Sequence, residues 1–262
     1  MIGAICGDII GSVHEGAPPV PRDFPLFVPA SRFTDDTVLS IAVACALREG
    51  TDFASALRSW GRRYPEAGYG GMFLRWLFGE IAGPYNSYGN GSAMRVSSIG
   101  WAFEDLDSVL EEAARSAEVT HNHPEGVKGA QAVAAAVWLG RRGGSRGAIR
   151  ELFQERFGYD CGASLEELRL RDGFDVTCRG TVPAAAVAFL RSADYEDAVR
   201  NAVSFGGDAD TLACIAGALA EAFYGAVPES IQSEALKRLD PPLLLELRNC
   251  ASVFGLPLAP GL

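Results

Sequence analysis

The sequence predicts an all-α fold, and three observations predict it. Apolar residues recur at helical spacing, as at Leu106, Val109, Leu110, Ala113 and Ala114. Several such runs open on Asp, Ser or Thr and close on Gly, which marks both helix ends. β-branched runs with period 2 extend no further than a few residues, so strands are not expected. About a dozen helices follow from this pattern, with no clear linker, so residues 1–262 read as one domain.

In chain order, residues 3–13 read as a short helix with Gly3, Ala4, Gly7 and Gly11 on one side, where another helix can approach closely. Asp8 and Glu15 bracket its end, and a Pro-rich loop runs on through Pro29. Thr34–Gly50, Phe53–Tyr64 and Met72–Ile81 read as helices, with a Gly-rich turn at 67–71 between the last two. An irregular loop over 83–91 leads to a short helix from Ser92 or Ala93. Helices are expected next at Asp105–Val119, at Pro124–Leu139 with Pro in the first turn, and at Ala148–Phe157. Residues 158–180 are the least regular, with one turn at Ser164–Leu170. Thr181–Arg191, Asp194–Val203, Asp210–Tyr224, Pro228–Leu239 and Leu243–Val253 complete the series.

Composition narrows the function. The chain is 48% hydrophobic and 21% charged, which is ordinary for a soluble globular protein. Its formal net charge of −10 argues against nucleic acid as a main partner, because phosphate binding needs a basic face. Apolar runs fall short of membrane-spanning length, so no membrane partner is expected. The first residues lack the basic region of a secretory signal. Six cysteines without a CxxC pair fit a reduced, cytoplasmic setting.

Two helix heads carry the chemistry. Thr34, Asp35, Asp36 and Thr37 open one; Gly206, Gly207, Asp208, Asp210 and Thr211 open the other. Ionised carboxylates are favoured at helix N-termini. For one head alone, a simple cap is the default explanation; two similar heads weaken it. If they meet, Asp35, Asp36, Asp208 and Asp210 repel one another unless cations intervene. An all-oxygen set, with hydroxyls from Thr34 and Thr211, suits hard ions such as Mg²⁺, Mn²⁺ or Ca²⁺. Four acids suffice for two ions sharing a carboxylate. The loops at 16–33, 65–71, 83–92, 120–124 and 204–208 should converge on the face that holds the acids.

Other motifs weigh less. Gly143-Gly-Ser-Arg-Gly147 matches G-x-S-x-G, but no strand precedes it and no His follows it, so it reads as a turn. Asp208, Asp210 and Thr211 partly resemble the motif of aspartate phosphotransferases, which would need a preceding strand. Residues 89–95, Gly-Asn-Gly-Ser-Ala-Met-Arg, bring backbone N–H groups to a helix start, where phosphate binds well. His121 and His123 lack the partners of a zinc site.

Together these pieces resemble the ADP-ribosylglycohydrolases. The carriers are Gly3-Ala-Ile-Cys-Gly-Asp8 with Glu15 and Gly16, Phe33-Thr-Asp-Asp-Thr37, Gly89–Arg95, Thr120 with His121, and Gly206–Thr211. They cover nearly the whole chain in the family's order. The resemblance implies a compact orthogonal all-α fold with a cleft built from helix N-termini and loops. It implies two Mg²⁺ or Mn²⁺ ions. Thr34, Asp35 and Asp36 would hold one, Asp208 and Thr211 the other, with Asp210 bridging. Asp35, Asp36 or Glu15 would act as base or proton donor. Gly89, Asn90, Gly91, Ser92, Met94, Arg95, His121 and Gly207 would contact the ligand. The implied reaction is hydrolysis at C1″ of ADP-ribose on a protein side chain. An ADP-ribosyl small molecule such as O-acetyl-ADP-ribose, or non-catalytic binding of ADP-ribose, are the alternatives. Arginine-preferring relatives carry an Asp-Gly-Asn where this chain has Gly68-Tyr-Gly-Gly71, so the acceptor stays open.

Overall fold

The computed structural model describes residues 1–171 and 173–259. In chain order its α-helices are α1 (Ile2–Gly11), α2 (Asp35–Glu49), α3 (Phe53–Arg63), α4 (Gly71–Leu77), α5 (Gly91–Met94), α6 (Ser97–Ala102), α7 (Leu106–Glu118) and α8 (Pro124–Arg141). They continue with α9 (Arg146–Glu151), α10 (Leu165–Arg169), α11 (Cys178–Leu190), α12 (Tyr195–Ser204), α13 (Ala209–Tyr224), α14 (Glu229–Leu236) and α15 (Pro241–Phe254). The described residues form no strand; Gly89 and Thr177 make one isolated antiparallel bridge. The fold is all-α, as the sequence predicts. No helix among the described residues is long and apolar enough to cross a membrane.

The core is organised on α13, which packs along α1 and against α8, α11 and α12. Glycine makes the α1–α13 contact possible. A Cβ at Gly7 would lie 2.1 Å from the Ala213 carbonyl oxygen, and one at Gly11 would lie 2.5 Å from Asp210 Cα. Backbones this close admit only hydrogen at the crossing. Every residue of α1 is buried. The contact therefore draws Asp8, near the end of α1, toward Asp210, at the start of α13.

Helix starts follow the expected chemistry. Thr34, Asp52, Asp105, Ser145 and Asp194 each accept a backbone N–H in the first turn of the helix they precede. Ser145 thus spends its hydroxyl on a cap, in keeping with a turn. Gly50, Gly225 and Gly255 close α2, α13 and α15 in the left-handed conformation.

Some boundaries differ from the sequence reading. The helix expected from Ser92 or Ala93 is two pieces, α5 and α6, broken at Arg95 and Val96. α4 stops at Leu77 rather than Ile81, because the chain turns through Gly79 at φ +88. α11 begins at Cys178 rather than Thr181, since the Thr177 side chain accepts the Gly180 N–H. The stretch expected as one helix over 148–157 is α9 followed by a π-turn at Leu152–Arg156.

Candidate active site

The heads of α2 and α13 meet at the floor of a cleft of about 350 Å³. Gly68, Gly70 and Gly71 line one side, and Tyr85, Ser87, Gly89, Asn90 and Gly91 with His121 another. Four of the five expected loops converge there. The 16–33 loop does not line the cleft; Glu15, just before it, does. Phe174 and Val176, from the irregular stretch before α11, form a wall instead.

The acids gather in two groups that share one member. Asp8, Asp36 and Asp210 each bring a carboxylate oxygen within 4.8 Å of the others, and so do Glu15, Asp208 and Asp210. Asp35 lies beside them, half-buried and facing the cleft. The Thr211 hydroxyl donates to Asp36 Oδ2 at 3.2 Å. Asp36 Oδ1 is sealed from solvent without a hydrogen-bond partner. A buried carboxylate oxygen is rarely left so. This donor set is all oxygen, anionic and mostly buried, with a vacant lone pair at its centre. It fits hard divalent cations.

Asp208 occupies the N-cap position of α13 but makes no side-chain cap bond. Its Oδ2 instead accepts from Asn90 Nδ2 at 2.5 Å, and the same nitrogen donates to Thr181 Oγ1 at 2.9 Å. A simple cap therefore does not account for Asp208.

Asp8 is the site residue the sequence reading missed. In the sequence it marks a helix end and closes a family-like run, with no role in the site attached to it. It is fully buried, and its two oxygens accept four hydrogen bonds. Oδ1 takes the Thr34 hydroxyl at 2.7 Å; Oδ2 takes the Thr34 N–H at 3.0 Å, the Thr37 N–H at 3.2 Å and the Thr37 hydroxyl at 2.5 Å. One carboxylate on α1 thereby clamps the first turn of α2. The available signal was a carboxylate inside an apolar, glycine-spaced run, where solvent cannot reach it.

The field of this cluster is strongly negative. Burial, then the Asp210 charge, pushes Asp8 up to about 7, against the lowering hydrogen bonds from Thr37 and Thr34. Burial followed by Asp210 also holds Asp35 and Asp36 well above the usual carboxylate range. Asp208 is raised for the same reasons, partly offset by Asn90, and Glu15 is raised, partly offset by Arg32. Bound positive charge would reverse these shifts.

The opposite side carries the remaining expected residues. Gly89, Asn90, Gly91, Met94, Arg95 and His121 line the cleft. Ser92, Thr34 and Gly207 do not. The Ser92 hydroxyl is buried and donates to the Gly126 carbonyl at 2.8 Å. The Thr34 hydroxyl lies behind Asp36, bound to Asp8. Gly207, at φ +66, faces a smaller chamber with Gly173 and Thr181. Its backbone exchanges two hydrogen bonds with the Glu15 corner: Gly16 N–H to Gly207 O at 2.7 Å and Gly207 N–H to Ala17 O at 2.9 Å. Gly207 thus fixes Glu15 rather than touching the cleft.

Comparison with known proteins gives the family. Residues 1–254 match the family described as ADP-ribosylglycohydrolase. ADP-ribosylhydrolase ARH3 of Homo sapiens is 27% identical over 319 aligned positions, covering 88% of this chain and 86% of that protein. ADP-ribosylarginine hydrolase Tri1 of Pseudomonas putida (strain GB-1) is 26% identical over 260 positions, covering 86% of this chain and 69% of that protein. A solved ADP-ribosylglycohydrolase-related protein complex superposes with a TM-score of 0.70 at 26% identity, over 97% of this chain and 95% of the other. A match that runs through nearly the whole chain, on a fold with the same all-α architecture, leaves one assignment: the chain belongs to the ADP-ribosylglycohydrolase family of hydrolases.

Proposed function

We propose that this chain removes ADP-ribose from a modified protein side chain by metal-dependent hydrolysis at C1″. The observation that carries the reading is the pair of carboxylate groups sharing Asp210, with Asp36 Oδ1 sealed and unpartnered between the helix heads. Asp36 and Asp210, with Thr34 and Asp35 beside them, would hold one Mg²⁺ or Mn²⁺. Asp208, Thr211 and Asp210, with Glu15 in reach, would hold the second. When bound, the ions supply Lewis acidity toward the ribose hydroxyls and the attacking water.

The chain's own residues do the rest. Gly89, Asn90, Gly91 and Met94 form the wall along which the diphosphate and distal ribose would lie, and Gly91 opens α5. The fixed carboxylates of the floor stabilise the positive charge that develops on the ribose as the C1″ bond breaks. Proton transfer requires exchange with solvent. Of the cleft carboxylates Glu15, Asp35, Asp36, Asp208 and Asp210, only Glu15 and Asp35 are not buried. They are therefore the proton carriers in this reading, and Asp36 serves to hold an ion. The six cysteines are free and buried, which agrees with a cytoplasmic setting.

The test is a panel of arginine-, serine- and acetyl-linked ADP-ribose substrates, each with Mg²⁺, Mn²⁺ or EDTA. ADP-ribose release from at least one protein-linked substrate is expected, and its loss with EDTA and in Asp210→Ala. Turnover that survives both would defeat the metal mechanism; turnover confined to the acetyl-linked compound would favour a small-molecule substrate. Asp35→Asn and Glu15→Gln separate the two proton carriers. The true carrier's variant should lose roughly 10²–10⁴-fold in kcat, even at Mn²⁺ concentrations that saturate the variant.

A further inference from the structure

Arg95 is wholly buried where it borders the cleft. Its Nη2 donates to the Ser116 carbonyl at 2.7 Å and to Thr120 Oγ1 at 3.1 Å. Thr120 is also fully buried, and its hydroxyl lies 2.7 Å from His121 Nδ1. An arginine can only donate, so Thr120 Oγ1 must accept from it. The Thr120 proton then has one acceptor with hydrogen-bond geometry, His121 Nδ1. The Tyr85 hydroxyl also lies within reach of Thr120, but the short contact of defined geometry is the one to His121 Nδ1 at 2.7 Å.

Were Nδ1 protonated instead, two hydrogens would face each other or the Thr120 proton would have to give up the 2.7 Å contact for the Tyr85 hydroxyl. His121 has a second nitrogen. Nε2 has no protein partner and is not among the sealed polar atoms, and the ring lines the cleft. It sits where Cβ atoms on Gly91 and Gly89 would lie 3.3 and 3.6 Å from it. Side chains at those two positions would crowd the ring.

We propose that Arg95 and Thr120 are positioning residues that fix His121 as the Nε2–H tautomer, a neutral donor presented between Gly89 and Gly91. The ligand atom that meets it must be an oxygen acceptor. Resting on the function proposed above, that atom belongs to the ADP-ribosyl group. Burial, followed by the Arg95 charge, keeps His121 well below the ordinary imidazole range, so the ring holds this state as pH falls.

The chain has three histidines, so ¹⁵N-labelled imidazoles can be assigned one by one. In wild-type protein, long-range ¹H–¹⁵N spectra at about pH 6, below the ordinary His pKa of about 6.5, should show His121 neutral, with protonated Nε2 and bare Nδ1. ADP-ribose should move the Nε2 resonance. Thr120→Val removes the relay without opening a cavity; the Nδ1–H tautomer should gain population and ADP-ribose affinity fall about tenfold. Thr120→Ser should restore both. A wild-type Nδ1–H tautomer, or a Thr120→Val spectrum identical to wild type, overturns the assignment. Calorimetric ADP-ribose binding that leaves Nε2 unmoved overturns the ligand contact. A chain that binds no ADP-ribose overturns the functional reading and the contact with it, while the tautomer is decided by the spectrum.

Discussion

Asp8 shows how one buried carboxylate can serve a site it does not open onto. Its oxygens accept from four donors of Thr34 and Thr37, so it positions the head of α2. Outer partners of metal ligands typically change affinity by 10–100-fold when removed. Thr37→Val deletes the shortest of the four bonds while keeping the shape. Calorimetry with Mn²⁺ should show about tenfold weaker binding, restored by Thr37→Ser; unchanged affinity would show the clamp to be irrelevant. At this scale the sequence was legible where an acid stood at a helix head with a hydroxyl, as at Asp35, Asp36, Asp208 and Asp210. It was not legible at Asp8, whose role depends on donors 26 and 29 residues away. Phe174 and Val176 were equally hidden, because an irregular segment has no period to read.

Among the elements, α1 and α13 set the geometry of the cluster. Their contact runs through Gly3, Gly7, Gly11 and Gly217, where added Cβ atoms would strike backbone. Gly7→Ala should therefore force the helices apart, not merely crowd a side chain. The expected destabilisation is near the top of the ~1–3 kcal/mol range for overpacking, or roughly 10 °C in Tm. Because α1 carries Asp8 and α13 carries Asp210, the same variant should also weaken Mn²⁺ binding in protein that remains folded. Thermal melts and calorimetry on one sample check both. The small-residue face of α1 was readable from sequence; its partner helix was not, since α13 is Ala-rich on every side and buried almost throughout.

For the whole molecule, the acid cluster makes stability depend on pH and on cations together. Asp8 rises from an ordinary 3.8 to about 7, and Asp35, Asp36 and Asp208 rise as well. Between those limits the native state holds protons that the unfolded chain has released, so stability falls as pH rises. Metal-free protein should melt at a lower temperature at neutral pH than near pH 5. Mn²⁺ at about a hundred times its dissociation constant should add ~2.7 kcal/mol, or roughly 5–10 °C, and flatten the slope. A metal-free Tm that climbs steadily from pH 5 to neutrality would contradict the cluster's charge state. The all-α architecture was foreseeable, because caps and periodicity are local; the meeting of the two acidic heads entered only as a condition, suggested by their similarity. The course of the 16–33 loop was not foreseeable, because arginines remote in sequence decide it.

Those arginines grip main-chain carbonyls, and Arg200 and Arg238 also stack on the rings of Phe24 and Phe27. Arg200 donates to the carbonyls of Arg22 and Phe24 at 2.8 and 2.7 Å, Arg169 to that of Val20 at 3.2 Å, and Arg238 to that of Val28 at 3.5 Å. Every amino acid supplies a carbonyl, so beyond Arg22, Phe24 and Phe27 the path of this span leans little on its own spelling. Its remaining residues are free to be exchanged while the corner bearing Glu15 stays put. The enzyme's outer rim can diversify without disturbing its chemistry.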